Sequence, residues 1–291
     1  MKVLSFGEIL WDLIGTARHI GGAPLNFAAH FVKCGGEATM VSRVGTDDLG
    51  TSALQFVADL GVNTSHIQTD DRYPTGTVMV TLEDGSPLYE ILTNVAYDHI
   101  QIPSFSVFKK YDALYFGTLA QRSEVSRMSL YNVLKNNEFN HVFYDVNLRE
   151  GNYNFDWIRH SLESCTIFKL NDEEISVLSK GLFGSDLGEE DFLDLIFGGY
   201  PNLDLIILTL GARGCLVQDR IGSCHVPAEK IKVKDTVGAG DAFSASFLYS
   251  YLTTRDAVIS AQVGNKIGGY VASMEGAIPE YSQEIREILS K

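Results

Sequence analysis

Residues 235–243 read DTVGAGDAF, small residues wedged between two carboxylates. Gly238 and Gly240 lose more backbone entropy on folding than other residues would. Their use must lie in conformations or close approaches that larger side chains forbid. The apolar spacing that follows, Phe243, Phe247, Leu248 and Tyr251, predicts a helix over 240–251. The small residues then fall at its start, where unpaired backbone N–H groups attract anions. Gly238, Ala239 and Gly240 leave room for a phosphoryl group at those N–H groups, and Asp241 adds a proton acceptor beside them. An aspartate that caps or neutralises the helix start fits the same segment.

Working outward, short runs rich in β-branched and aromatic residues recur at Lys2–Phe6, Ala113–Phe116, His141–Tyr144, Ile167–Leu170 and Leu205–Leu210. Helix-period segments at Asn26–Cys34, Thr51–Leu60, Glu124–Lys135 and Ala257–Met274 separate many of them, and Pro24 suits a first helical turn. This alternation predicts an α/β fold, a mostly parallel sheet flanked by helices on both faces. The stretch from Tyr73 to Ile102 breaks the rhythm: TGTVMVTLEDGSPLYEI (75–91) alternates like exposed β structure, with Asp84–Gly85 as a hairpin turn. Together with 10–20 it predicts a small projecting β-sheet, a lid or an interface. Nothing resembling a linker or an internal repeat divides the chain, so 1–291 is read as one domain.

A chain of 291 residues with 45% hydrophobic and 21% charged residues can bury a large core without covalent staples. Its net charge of −14 opposes broad attachment to nucleic acid or an anionic membrane. Local backbone N–H groups, a helix terminus and a bound cation can still hold a polyphosphate, because distant charges are screened beyond about 8 Å. Cys34, Cys165, Cys215 and Cys224 are scattered without metal-ligand spacing and read as reduced thiols. Glu8 and Asp12 interrupt the apolar start, which suits a first strand better than a secretory segment, and no run approaches the ~20 apolar residues of a spanning helix. The expected location is cytoplasmic. Neither a Gly-x-x-x-x-Gly-Lys-Ser/Thr loop nor a Gly-x-Gly-x-x-Gly after the first strand is present.

Asp235, Thr236, Gly238, Ala239, Gly240 and Asp241 resemble the D-T-x-G-A-G-D signature of the ribokinase-like, PfkB-type carbohydrate kinases. Further segments similar to that family follow its order along nearly the whole chain. GEILWD and GGAPLNFA resemble its sugar-binding start, which implies sugar contacts for Asp12, Gly21, Gly22 and Asn26. Gly45–Gly50 resembles a G-x-D-x-x-G element and is read as structural, with Asp47 a turn or cap residue. Lys169, Asn171 and Glu174 resemble a K-x-N-x-x-E element that serves the nucleotide phosphates and Mg2+, with Asn171 and Glu174 acting through water. Thr209, Gly211 and Gly214 resemble a nucleotide-site turn, and Asn265 a nucleotide-side asparagine. Asp235, Val237 and the 276–280 turn are similar to a region that holds K+ in some relatives.

Within the family, YFGTLAQR (115–122), DVNLRE (145–150) and PTGTV (74–78) look most like bacterial fructokinases. That likeness adds Gln121 and Arg149 to the substrate-binding residues, with Asp145, Asn147 and Arg149 supplying acceptor and donor groups. The resemblance implies ATP-dependent phosphorylation of a sugar hydroxyl, D-fructose to fructose 6-phosphate. Asp241 would be the general base, and the Gly238–Asp241 amides the anion hole. It also implies ATP as co-substrate and a homodimer formed through the lid. A 2-keto-3-deoxygluconate kinase or another sugar kinase of the family is the same-fold alternative. A catalytically silent sugar-binding regulator is the alternative outside enzymes.

Overall fold

The short apolar runs become strands and the helix-period segments become helices, in a computed structural model that describes residues 1–83, 86–103, 108 and 111–289. The strands are β1 (Lys2–Phe6), β2 (Leu10–Ile14), β3 (Ala17–Gly21), β4 (Glu37–Gly45), β5 (Asn63–Asp70), β6 (Gly76–Glu83), β7 (Ser86–Ile91), β8 (Ala113–Phe116), β9 (His141–Asp145), β10 (Ile167–Asn171), β11 (Leu205–Thr209), β12 (Cys215–Gln218) and β13 (Ser223–Val226). The helices are α1 (Ala23–Lys33), α2 (Asp48–Asp59), α3 (Glu124–Asn136), α4 (Phe155–Ser164), α5 (Asp172–Phe183), α6 (Glu189–Gly199), α7 (Ala239–Thr254), α8 (Ala257–Ala272) and α9 (Gln283–Leu289).

A nine-stranded sheet runs β13-β12-β11-β10-β9-β8-β1-β4-β5. From β11 to β5 every pair is parallel, and β12 and β13 add an antiparallel edge. Side chains alternate across it. Leu4, Phe6, Leu114, Phe116, Tyr144, Phe168, Leu170, Ile206 and Leu208 face one core, which takes in residues of α3, α4, α5 and α6. Val3, Ala113, Tyr115, Phe143, Ile167, Leu205 and Ile207 face the other, where α1, α2, α7 and α8 pack. On that side Phe27 lies flat on Tyr115, centroids 3.7 Å apart, a contact worth about 1 kcal/mol beyond its burial.

The strand order reverses at β1: the chain goes from β1 to β4 and β5 on one side, then returns to β8 and steps away on the other. In open parallel sheets the crevice beyond the carboxyl ends of the strands at such a switch point receives the ligand. Gly7, Gly117, Asp145, Asn171 and Thr209 mark those carboxyl ends.

A second sheet of four strands, ordered β3-β2-β6-β7, is the expected small sheet. It is narrower than expected at its far end. Residues 92–102 return to the body, where Val95, Tyr97 and Ile100 join the larger core, because these side chains are too apolar to stay on a projecting flap. The predicted turn at Asp84–Gly85 lies outside the described residues.

The Gly45–Gly50 element is structural, as its sequence suggested. Asp47 caps α2 by accepting the Gly50 N–H at 2.8 Å. It also accepts the N–H and hydroxyl of Thr75, at 2.8 and 2.7 Å, just ahead of β6. Burial opposes its charge, yet these donors hold the carboxyl below the usual range. A Cβ on Gly50 would come within 1.9 Å of the Gly45 carbonyl oxygen, so the turn closes only on glycine. Replacing Asp47 by Ala is expected to lower unfolding stability by about 2 kcal/mol in denaturant melts. Turnover of the folded protein should stay within about threefold. Unchanged stability would show that the carboxylate is not the joint between α2 and the root of β6.

Candidate active site

The DTVGAGDAF segment forms the start of α7 at the carboxyl edge of the sheet. Gly238 is its N-cap in the left-handed region (φ 76°). A Cβ there would sit 2.6 Å from the carbonyl oxygen of Ala277, so the position is closed to other residues by conformation and by space. The helix starts one residue earlier than the sequence predicted. The Ala239 N–H donates to the Thr236 carbonyl at 3.2 Å and the Ala242 N–H to Gly238 at 2.9 Å. Among the described residues the N–H groups of Gly238, Gly240 and Asp241 have no such acceptor. The expected set of anion-binding N–H groups is therefore corrected by one: Ala239 contributes its small size, while its N–H serves the turn.

Asp241 accepts a hydrogen bond from Asn26 Nδ2 at 2.8 Å. Its pKa is pushed up to about 6, first by burial and then by the nearby Asp145 charge, while Asn26, Lys169 and Arg149 act the other way. Asn26 is 5% exposed, and its Oδ1 has no hydrogen-bond partner. Asp12 lies close by on β2, its oxygen 3.2 Å from where a Cβ of Gly21 would stand. Burial raises its carboxyl above the usual range against the pull of His19 and Arg149. Gly22, at φ 113°, caps α1 and lies so tightly on Glu8 that a Cβ would meet the Glu8 carbonyl oxygen at 2.4 Å. Asp12, Gly21, Gly22, Asn26 and Asp241 are thus brought together.

Sequence reasoning passed over Glu8, which lies inside the quoted GEILWD segment. It is 4% exposed, its Oε2 has no partner, and burial pushes its pKa up to about 7. An acid directly before the apolar pair Ile9–Leu10 was the available signal. Arg149 is exposed, its guanidinium reaching the Leu148 carbonyl at 3.1 Å, and its charge acts on Glu8, Asp12 and Asp241 alike.

Beneath the α7 turn, Lys169 Nζ sits 2.9 and 3.0 Å from the two carboxylate oxygens of Asp145, its cross-strand neighbour. Asp145 also accepts from Ser244 at 2.9 Å and Tyr115 at 3.2 Å. Burial alone would lower the Lys169 pKa, but Asp145 beside it holds it above the usual value. A Cβ on Gly240 would stand 3.6 Å from Lys169 Nζ, which places this cation under the turn at the start of α7. The sequence reading of Asp145 as an open acceptor for substrate needs correction, since both its oxygens are taken inside the protein. Gln121 needs the same correction: its side chain is fully buried, donates to the Gly117 carbonyl at 2.9 Å and accepts from Ser161 at 3.2 Å.

Asn171 and Glu174 form a reciprocal capping box at the start of α5. Glu174 accepts the Asn171 N–H at 2.8 Å and the Leu148 N–H at 2.7 Å, and Asn171 Oδ1 accepts the Glu174 N–H at 3.0 Å. These bonds fix the orientation of both side chains at the carboxyl end of β10. Thr209 pairs with Asn171 across β10 and β11, so the two strand ends lie side by side. Gly211 and Gly214 have positive φ, and a Cβ on Gly214 would meet the Val226 carbonyl oxygen at 2.1 Å. Asn265 on α8 donates to that carbonyl at 2.9 Å, so it ties α8 to the end of β13. Asp235 accepts N–H groups from Val237 at 3.0 Å and Gly276 at 3.1 Å, which links the signature to the 276–280 turn.

A helix start whose Gly238, Gly240 and Asp241 N–H groups have no internal acceptor among the described residues, beside a buried carboxyl at the switch point of a parallel sheet, is the candidate site. The pfkB family carbohydrate kinase model matches residues 2–284, and the chain belongs to that family. It is similar to a probable chloroplastic fructokinase-6 of Arabidopsis thaliana, 28% identical over 95% of this chain and 79% of that protein. It is also similar to an aminoimidazole riboside kinase of Salmonella typhimurium, 28% identical over 86% of this chain and 80% of that one. The crystal structure of a Vibrio cholerae fructokinase with fructose, ADP and calcium superposes with a TM-score of 0.82 at 24% identity, covering 95% of this chain and 94% of that one.

Removing one member of the buried pair leaves the other charge stranded. Lys169→Met is expected to cost about 3–5 kcal/mol in denaturant melts, and the double variant Asp145→Asn, Lys169→Met to recover part of that loss. A single variant within about 1 kcal/mol of the parent would show that water, not Lys169, compensates Asp145.

Proposed function

We propose that this chain is an ATP-dependent kinase for a neutral ketose, transferring the γ-phosphoryl group of ATP to the 6-hydroxyl of D-fructose. One observation carries the reading: Asp241, tethered to Asn26, stands at a helix start whose Gly238, Gly240 and Asp241 N–H groups have no internal acceptor among the described residues. Asp12, Asn26 Oδ1 and the close backbone of Gly21 and Gly22 would hold the other sugar hydroxyls. In the reaction the sugar oxygen bonds to the γ-phosphorus, its proton passes to Asp241, and the bond to the bridging oxygen breaks to release ADP. The free N–H groups and the helix terminus, with Lys169 behind them, stabilise charge on the phosphoryl oxygens.

Charge balance favours a neutral acceptor. Arg149 is exposed and faces the acids Glu8, Asp12 and Asp241, whereas Lys169 is already paired with Asp145. A sugar acid such as 2-keto-3-deoxygluconate would bring its carboxylate among those acids with one open cation to meet it. Among neutral acceptors the relatives do not choose, since a probable fructokinase and a riboside kinase match at the same identity.

Lys169, Thr209, Gly211, Gly214 and Asn265 would serve the nucleotide side. Mg2+ carried on the ATP phosphates would neutralise their charge, with Asn171 and Glu174 reaching it through water. The turn that Asp235 and Val237 share with Gly276 is the proposed place for K+. The small sheet would close over the sugar to exclude water, and its exposed Ile14 and Met79 belong to the surface proposed for a homodimer.

Asp241→Asn is expected to retain binding of sugar and ATP while lowering kcat by about 10²–10⁴-fold. Near-normal turnover in the folded variant removes Asp241 from the role of base. Because Asp241 must be ionised to take the proton, kcat/KM is expected to fall as pH drops through about 6 and to level off above it. Asn26→Leu deletes an N–H that favours the ionised form, so the acid limb should move to higher pH; a limb that stays or moves lower contradicts the assignment. In an ADP-release assay, fructose should give the highest kcat/KM against ribose, tagatose, 2-keto-3-deoxygluconate and aminoimidazole riboside. Preference for another acceptor overturns the substrate alone, and no ADP with any sugar points to the silent regulator.

A further inference from the structure

Helix α1 carries an unusual stripe for a helix whose buried face is otherwise mostly apolar. Asn26, His30 and Lys33 recur at the spacing that puts side chains on one face, and all three reach the far end of the chain or the start of α7. Asn26 holds Asp241. Lys33 pairs with Glu280 at 2.7 Å. Between them His30, fully buried, places Nε2 2.8 Å from the Ala277 carbonyl oxygen and Nδ1 2.7 Å from the Tyr281 hydroxyl.

The chemistry of those partners fixes the ring. A carbonyl oxygen accepts only, so Nε2 carries the hydrogen and donates to Ala277. In the neutral ring Nδ1 then accepts from the Tyr281 hydroxyl. Burial favours that neutral form, and the Lys33 charge acts in the same direction. Ala277 in turn presses on Gly238, where its oxygen would stand 2.6 Å from a Cβ. One helix therefore grips both ends of the anion-binding turn, Asp241 directly through Asn26 and Gly238 through the 277–281 segment.

We infer that His30 is a positioning residue for phosphoryl transfer: by donating from Nε2 to the Ala277 carbonyl, it holds that carbonyl against Gly238 and so sets the orientation of the free N–H groups at the start of α7. This rests on the reading of the Gly238–Asp241 turn as the phosphoryl site. His30 touches neither substrate, so its removal should act on the reacting geometry and leave sugar affinity in place.

The test uses the full chain with His30→Leu, His30→Gln and Tyr281→Phe, each checked for folding by thermal melts, together with nitrogen NMR of the His30 ring in the parent. The ring is expected to be neutral at pH 7 with its hydrogen on Nε2. His30→Leu should lower kcat about 10–100-fold, the scale of a displaced catalytic geometry, with KM for the sugar within about twofold. His30→Gln, which can present an N–H to Ala277, should recover most of that loss. Three results each overturn the inference: a folded His30→Leu variant with kcat within about twofold of the parent, equal losses in the Leu and Gln variants, or a ring hydrogen on Nδ1. Should His30→Leu fail to fold, Tyr281→Phe decides: it leaves the Nε2–H donor to Ala277 in place, so kcat within about twofold of the parent with the hydrogen still on Nε2 supports the inference, and a drop of about tenfold with that hydrogen still on Nε2 overturns it. Asp241→Asn separates the two levels. If that variant keeps its turnover the phosphoryl site itself is misplaced, whereas a collapse in Asp241→Asn beside an unaffected His30→Leu removes His30 alone.

Discussion

The buried contact between Asp145 and Lys169 is the constraint on which the site depends. It joins neighbouring strand ends β9 and β10, and through Ser244 and Tyr115 it reaches α7 and β8. A charge this deep persists only when its partners are complete. The tyrosine stays a donor because burial and the adjacent carboxylate hold its pKa well above the ordinary value. The result is a positive group beneath Gly240 whose counter-charge lies on the sheet side. The floor under the turn is therefore fixed before any ligand arrives.

That arrangement sets the buried acids of the site apart from one another. The Asp241 charge raises the cost of ionising Glu8, and the Asp145 charge that of ionising Asp241, while Lys169 and Arg149 act against it at Asp241. Asp241 differs from Asp145 because a single amide, that of Asn26, holds it, whereas Asp145 is saturated by a cation and two hydroxyls. The saturated carboxylate is structural. The other keeps acceptor capacity for a proton.

Much of this architecture was legible in the chain itself. Lys2–Phe6 and Ala113–Phe116 have strand ends where the apolar runs end, because a strand buried on both faces must be apolar along its length. The glycines before α7 pointed to a close approach beside Asp241, whereas Asn26 was singled out only by the resemblance of GGAPLNFA to the family, since glycines before a helix by themselves usually mark a turn. Gln121 and Asp145 were misread for a shared reason: residue type announces what a side chain can bond, but only the packed neighbours, here Ser161, Ser244 and Lys169, reveal that its capacity is already filled. Glu8 was missed from the opposite direction, since an acid behind a first strand looks like a surface residue until Gly22 is seen to close over it. Residues 92–102 were assigned to the flap because the alternation that marks β6 and β7 carries no signal for where the chain turns back into the core.

The pairing of β2 with β6 has a consequence for how the molecule assembles. These parallel neighbours lie on either side of α1, β4, α2 and β5 in the chain, so the small sheet cannot zip from a local hairpin. Bringing residues 10–14 against 76–80 closes a long loop, and the entropy of that closure is recovered only after the intervening elements have packed on the main sheet. The β2–β6 seam is thus a product of the tertiary fold and not of local pairing. Leu10 and Val78 carry that seam into the larger core, so the small sheet and the body share one packing.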